Sequence, residues 1–248
     1  MPGSADPCSY PFRRLTLLIF FVYNLFMDVF FRTPAAITAP TRAGRLLAGC
    51  LLALILAGCA VNPPVPHQSD HLCLLFRENR SWFKSAWRSS QRWGVPIPVL
   101  MAIMHQESRF NAKARPTRTT CCFFLPGPRP SSAYGYAQAL DTTWEKYIRV
   151  TDNYGADRDD FADAVDFIGW YCHRNRVQCK IPANDAYAHY LAYHEGQTGY
   201  LRQTYQNKSW LKNVAGRVQG RADLYTRQLA ACQAELLDSM GCCFFGPF

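Results

Sequence analysis

The chain has 248 residues, of which 49% are hydrophobic and 14% aromatic, which is enough apolar material for one good-sized core. Its formal net charge is +9, and the residues after position 59 still carry 22 basic and 16 acidic side chains. A positive surface of this kind suits an anionic partner such as a cell wall or an anionic lipid surface. The sequence has no dense Lys/Arg run with interleaved aromatic residues, which disfavours nucleic acid as the partner.

Eleven cysteines are many for a chain of this length, and they indicate an oxidising compartment. Cys172 and Cys179 flank the basic stretch 173–176, which we interpret as a short turn at a helix end. That turn predicts a Cys172–Cys179 disulfide, since it would bring the two Cα atoms within about 6 Å, and buried free thiols are the alternative. Because no two pairs of His or Cys have zinc-like spacing, we predict no metal site and no cofactor.

Residues 46–61 have the pattern of a signal peptide, in which Arg42 and Arg45 precede an apolar run. The run is shorter than the roughly 20 apolar residues that a transmembrane helix needs. It ends in Leu-Ala-Gly-Cys at positions 56–59, which resembles the lipobox of bacterial lipoproteins, and the resemblance makes Cys59 the predicted lipidation site. An ordinary cleaved signal or an uncleaved membrane anchor is the alternative.

The domain boundaries follow from composition. A second apolar run, residues 15–31, precedes the signal peptide, and we interpret residues 1–40 as an over-extended start, with an extra membrane segment as the alternative. Prolines after Cys59 predict an extended tether. The predicted units are a leader at 1–59, a Pro-rich tether at 60–72, a folded domain at 73–238 and a tail at 239–248.

The folded domain is predicted to be mainly α-helical. Gly94 can end one helix, Pro96 can open the next, and Asp160 precedes an apolar stripe at i, i+4, i+7 and i+11. The sequence shows no sustained period-two alternation. The proline-rich segment 115–132 is an unusually apolar loop, for which three forms remain open: a small hairpin at the rim of a cleft, packing on the core, or contact with a membrane.

Three short motifs stand in order along the domain: His-Gln-Glu-Ser-Arg-Phe at 105–110, Tyr-Gly-Tyr-Ala-Gln at 134–138 and Ala-Tyr-His-Glu-Gly at 192–196. Together they resemble the soluble lytic transglycosylase (SLT) domain family, over residues 82–230. The resemblance implies a lysozyme-like, goose-type helical domain with a substrate cleft. It also implies that peptidoglycan glycan strands are the substrate, cut at the β-1,4 bond between N-acetylmuramic acid and N-acetylglucosamine with formation of 1,6-anhydro ends.

Glu107 is the predicted catalytic residue. Cleavage of a glycosidic bond needs a proton donor, and a carboxyl group serves near neutral pH only if an apolar setting raises its pKa. Glu107 ends an apolar helix, beside Met104 and one turn after Ile103. The resemblance implies that this single glutamate acts first as acid and then as base, because the 6-hydroxyl of the muramic acid attacks the anomeric carbon.

The resemblance also implies a set of substrate-contacting residues. Ser108 would orient the catalytic carboxyl or the sugar, while Gln138 and Tyr193 would hydrogen-bond sugar groups. Tyr136 could stack on a sugar ring, and Tyr225 would supply a hydroxyl near the glutamate.

Glu195 departs from the family pattern, which has a small residue there. If its carboxylate faces Glu107, it would contact the substrate and could serve as the second carboxylate of a hydrolytic muramidase. If it points outward, it only ends a helix. A further alternative is a non-catalytic, peptidoglycan-binding envelope lipoprotein.

Ala60, directly after the lipobox cysteine, resembles the residue found in lipoproteins sent to the outer membrane. We therefore expect a periplasm-facing lipoprotein of a Gram-negative bacterium, anchored by lipid. Envelope-assembly or secretion proteins are compatible partners for a protein in that place.

Overall fold

The computed structural model describes residues 69–121 and 125–240. The chain divides into two units, residues 1–61 and 62–248, and every described residue belongs to the second. The predicted leader, its lipidation site Cys59 and residues 60–68 of the predicted tether therefore lie outside the described residues, as do residues 241–248 of the tail.

Within these residues the fold consists of seven α-helices and one short antiparallel ribbon, which confirms the predicted mainly α-helical class. None of the described helices combines the length and apolar character that crossing a membrane requires. The elements in chain order are α1 (Leu72–Glu78), α2 (Arg80–Trp93), α3 (Ile97–Ser108), β1 (Thr120–Cys121), β2 (Leu125–Pro126), α4 (Asp141–Thr151), α5 (Phe161–Cys179), α6 (Ala186–Leu201) and α7 (Ser209–Asp238).

Helix α3 is the centre of the core. Nine of its 12 residues are buried, because its sequence is apolar on every face from Ile97 to Met104. It packs mainly against α7, and also against α2, α5 and α6. Pro96 and Pro98 stand at its start, where a missing backbone N–H costs no helical hydrogen bond.

The end of α3 is unusually sharp. Two successive residues without a glycine's freedom, Arg109 (φ 50°) and Phe110 (φ 62°), adopt left-handed backbone conformations. Phe110 is almost fully buried and its ring packs 5.9 Å from that of Trp82. Burial of this ring stabilises the strained turn, and the turn leaves Glu107 in the last turn of the helix.

Other helix ends follow the sequence closely. Gly94 ends α2 in a left-handed conformation, as predicted. Asp160 caps α5 by accepting a hydrogen bond from the backbone N–H of Asp163. The segment 115–132 contains the ribbon of β1 and β2, which is the hairpin among the three forms considered for it.

The folded part begins before the predicted boundary at residue 73. The Ser69 carbonyl accepts a hydrogen bond from the Tyr225 hydroxyl, Asp70 pairs with Arg221, and Leu72 is fully buried. Residues 69–72, which composition alone assigned to the tether, therefore belong to the domain.

The disulfide prediction was wrong. Cys172 and Cys179 are free thiols, and a disulfide in the described part of the chain joins Cys73 on α1 to Cys232 on α7, with Cα atoms 6.1 Å apart. The stretch read as a turn is helical, so Cys172 and Cys179 lie on one continuous helix. Seven residues of helix separate Cα atoms by about 10 Å along the axis, beyond the roughly 7 Å limit for a disulfide.

Replacing Cys73 by Ser should lower the free energy of unfolding by about 2 to 4 kcal/mol, because the disulfide closes a loop with a sequence separation of 159. Urea unfolding with and without dithiothreitol measures this effect. The variant should lose all sensitivity to the reductant, whereas Cys179→Ser should keep it. Recovery of a Cys172–Cys179 peptide pair from a non-reducing digest would contradict the pairing.

Stability should also depend on pH through His189, which is 0% exposed on α6. Burial lowers its pKa from 6.5 to about 4, against the opposing effect of Asp185. Between these two pH values His189 is therefore protonated in the unfolded chain and neutral in the folded chain. Above pH 6.5 the neutral His189 ring does not lower the free energy of unfolding. As the pH falls from 6.5 toward 4, the free energy of unfolding decreases by on the order of 3 kcal/mol in all.

Urea unfolding at pH 7 and pH 4.5 tests this expectation, and His189→Gln should reduce the difference between the two values. A wild-type free energy of unfolding that stays constant across this range would refute it.

Candidate active site

Glu107 lies at the edge of the core. Its neighbours Met104 and Ser108 are buried, whereas its own side chain is partly accessible. Burial raises its pKa to about 7, and a hydrogen bond from the Tyr190 hydroxyl opposes that rise. At neutral pH the group is therefore present in both its acid and its base form, which is the state that a proton-transfer catalyst requires.

Tyr190, on α6, is a candidate site residue that the sequence analysis did not predict. Its hydroxyl donates a hydrogen bond to Glu107, and burial followed by the charge of Glu107 raises its pKa, so it remains a protonated donor. Tyr190 lies three residues before Tyr193, on the same side of the helix. This spacing could have identified Tyr190, because Tyr193 in the third motif was already predicted to contact the substrate.

Tyr193 connects the second and third motifs. Its hydroxyl donates a hydrogen bond of 2.6 Å to the carbonyl of Ala137. Burial and then the charge of Glu107 raise its pKa well above the usual value, which places its phenol within electrostatic reach of the carboxyl group. All three motifs therefore meet around Glu107.

The second motif forms a tight loop that depends on Gly135. This residue has φ 78°, and a Cβ atom there would lie 2.0 Å from the carbonyl oxygen of Arg158. The Nε2 group of Gln138 donates to the carbonyls of Ala114 and Gly135, at 2.9 and 2.8 Å. The amide nitrogen of Gln138 thus shapes the loop, and its predicted contact with a sugar stays a prediction.

Ser108 directs its hydroxyl back to its own helix. The group donates to the carbonyl of Met104 at 3.3 Å, one turn earlier in α3. Its predicted role beside the catalytic carboxyl stays a prediction. In the described residues, no group of three or more His, Cys, Asp or Glu side chains is arranged to hold a metal ion.

The family model described as transglycosylase SLT domain matches residues 47–232, which is most of the chain. The chain belongs to the transglycosylase SLT domain family. Membership confirms the resemblance of the three motifs, and at the level of the family it means a transglycosylase that acts on peptidoglycan. A search of curated proteins gives no match.

Two tyrosines predicted to contact substrate in this SLT domain lie in its core instead. Tyr136 is 3% exposed, and its ring packs edge-on against Trp82 and Phe161, with both centroids 5.7 Å away. It therefore has no open face for a sugar, and burial raises its pKa to about 12. The prediction failed because an aromatic side chain beside a motif fits a core as well as a cleft.

Tyr225, on α7, is 0% exposed and donates its hydroxyl to the Ser69 carbonyl. Its ring lies 6.4 Å from that of His105. His105 and Glu107 are two residues apart on α3, so they point in roughly opposite directions around that helix. Tyr225 therefore approaches the wrong side of α3 to assist Glu107, and the role predicted for it is withdrawn.

Glu195 is bound by partners other than Glu107, whose pKa is set by burial and by Tyr190. Its side chain is 5% exposed, and its oxygens bind Lys208 at 2.7 and 2.9 Å, His194 at 3.0 Å and the Thr204 hydroxyl. Burial alone would raise its pKa, but these hydrogen bonds lower it to about 2. Gly196 (φ 73°) interrupts α6 directly after it. Glu195 is thus ionised, and its ion pair with Lys208 connects the C-terminal part of α6 to the residue that precedes α7.

Replacing Tyr190 by Phe should raise the pKa of Glu107 further, because the hydroxyl stabilises the ionised carboxylate. The alkaline limb of the pH–activity profile should move upward, and kcat should fall about tenfold as the carboxyl loses its fixed partner. Peptidoglycan digestion at a series of pH values measures both effects. Tyr187→Phe, on the same helix, is the matched control and should keep the wild-type profile.

Proposed function

We propose that the protein is a lytic transglycosylase that cleaves the β-1,4 bond between N-acetylmuramic acid and N-acetylglucosamine and leaves 1,6-anhydromuramic acid ends. The observation that carries this proposal is the environment of Glu107, one carboxyl group with a pKa of about 7 beside the Tyr190 hydroxyl. Such a group can both donate and accept a proton within one reaction.

The reaction needs two proton transfers. Protonated Glu107 gives its proton to the glycosidic oxygen as the bond from that oxygen to the anomeric carbon breaks, which releases the N-acetylglucosamine hydroxyl. The 6-hydroxyl oxygen of the muramic acid then bonds to the anomeric carbon, and its proton passes to the Glu107 carboxylate. The enzyme returns to its starting state without consuming water.

The state of Glu195 disfavours the muramidase alternative. A hydrolytic enzyme with two carboxylates needs its second one on the opposite face of the sugar, as nucleophile or as base for water. Glu195 is held by Lys208, His194 and Thr204, and the two influences on the pKa of Glu107 are burial and Tyr190. A single carboxylate suits the intramolecular attack of a transglycosylase.

We further propose that the enzyme works at the periplasmic face of the envelope, anchored by lipid at Cys59 to the outer membrane. The Cys73–Cys232 disulfide supports an oxidising compartment, since disulfides persist there and are rare in the cytosol. The excess of basic residues supports contact with an anionic wall.

Glu107→Gln should lower the rate of glycan cleavage by about 10²- to 10⁴-fold, because the amide cannot deliver a proton. Liquid chromatography and mass spectrometry of digested peptidoglycan measure both rate and product. Glu195→Gln is the control, and its products should keep 1,6-anhydro ends. Reducing ends from the wild-type enzyme would mean hydrolysis, and undiminished cleavage by Glu107→Gln would remove this residue from the mechanism.

A further inference from the structure

A groove lies at the opposite end of α3 from Glu107. Residues of α2, α3 and α7 line it, and it has a volume of about 760 Å³. That volume is within the roughly 300–1,000 Å³ typical of small-ligand sites. Ile97 lines the groove from the start of α3, and the helix from Ile97 to Glu107 is about 15 Å long. The groove is therefore separate from the candidate active site.

An indole ring lines the groove from α2. Trp87 is half-buried, and the centroid of its ring lies 6.2 Å from that of Phe83 in the core. The remaining surface of the ring belongs to the groove. No group in the described part of the chain accepts a hydrogen bond from its indole N–H. Such a ring suits a ligand that combines apolar C–H groups with hydrogen-bond acceptors.

Three carboxamide side chains also line the groove: Gln91 on α2, Asn184 before α6 and Gln233 on α7. Among the described residues, none of the three side chains has a hydrogen-bond partner. Each of them offers both donors and an acceptor. The groove therefore presents amide groups from three separate elements to a polar ligand.

The charge and the exposed surface of the groove indicate the class of ligand. Its lining contains one acidic and one basic side chain, Asp223 and Arg227, whose charges cancel. An anionic lipid surface or a nucleic acid would need an excess of positive charge. The exposed large hydrophobic side chains of the described residues all lie outside the groove, whereas a protein-binding surface is usually a contiguous apolar patch. A neutral, polar ligand fits best.

We propose that this groove, the α3-start groove, is a second, non-catalytic binding site for a glycan segment of peptidoglycan. The muramic acid carboxylates of the polymer are joined to stem peptides through amide bonds, so the glycan backbone itself is uncharged. Each sugar ring has a C–H face for Trp87, and its acetamido and hydroxyl groups pair with the carboxamides of Gln91, Asn184 and Gln233.

The α3-start groove gives the enzyme a second point of attachment to the wall. A glycan held there keeps the chain close to other strands, which raises the local concentration of substrate at Glu107. This inference goes beyond the proposed reaction, since it requires only that peptidoglycan is the substrate of the family.

Co-sedimentation with insoluble peptidoglycan measures the affinity in the Glu107→Gln background, in which the polymer stays intact. The double variant Gln91→Ala, Gln233→Ala should bind about tenfold more weakly, because two hydrogen bonds are lost. The matched control is Gln178→Ala, Gln206→Ala, which changes two exposed glutamines outside the groove and should keep the parent affinity. Equal affinity of the groove variant and its parent would overturn the proposal.

Titration with the soluble, uncharged tetramer of β-1,4-linked N-acetylglucosamine locates the site. The Trp87 indole N–H signal in proton–nitrogen NMR spectra should shift on binding, and the groove variant should need about tenfold more tetramer for the same shift. A Trp87 signal that stays unchanged at millimolar tetramer would overturn the proposal. So would a groove variant that loses binding to anionic lipid vesicles while it keeps its affinity for peptidoglycan.

Kinetics separates this inference from the proposed reaction. With Glu107 intact, the groove variant should lose about tenfold in kcat/KM on insoluble peptidoglycan, and the loss should be confined to that polymer when a soluble tetrasaccharide is cut in parallel. An equal loss on both substrates would mean that the groove acts only through the catalytic site, which would overturn the proposal. If the wild-type chain cleaves neither substrate, the proposed reaction fails, and the binding measurements still decide the groove.

Discussion

The burial of one carboxyl group is the constraint on which the rest of the site depends. Burial, partly offset by the Tyr190 hydrogen bond, disfavours the ionised form of Glu107 by on the order of 3 kcal/mol, judged from its shift to a pKa of about 7. The apolar faces of α3 make that burial possible, because a helix with a polar face would leave the carboxyl hydrated. Tyr190 returns part of the lost stabilisation through its hydrogen bond, so the pKa settles near neutrality.

The position of Glu107 at the edge of the core is fixed by the packing of aromatic side chains around the end of α3. Trp82 stacks on Phe161 at 4.1 Å and meets Phe110 and Tyr136 with its other contacts. Phe110 follows the strained end of α3, and Tyr136 belongs to the loop of the second motif. One cluster thus holds both the end of the helix that carries Glu107 and the loop of the second motif, which explains why Tyr136 is in the core.

Local pattern was enough to predict the helical class, the end of α2 at Gly94, the helix that follows Asp160, and the chemical need for an acid such as Glu107. The errors concern partners far apart in sequence. Cys73 and Cys232 are 159 residues apart, and no local period reports such a pairing. The sequence analysis assigned the hydroxyl near Glu107 to Tyr225, whereas in the structure it belongs to Tyr190. Helical spacing gives the face on which a residue lies on its own helix, but it does not tell which neighbouring helix that face contacts. The orientation of Glu195 could not be predicted either, because it is set by the ion pair with Lys208, which lies beyond the interruption of α6 at Gly196.

Helix α7 fixes the domain around α3 through contacts at both of its ends. Its last turns hold Cys232 against α1 through the disulfide, and its middle turns pack on α3. Because one end is covalently fixed and the other begins beside the Lys208–Glu195 ion pair, rotation of α7 about its axis is opposed at both ends. The face of α7 that packs on α3 is therefore held in a fixed position beside the helix that carries Glu107.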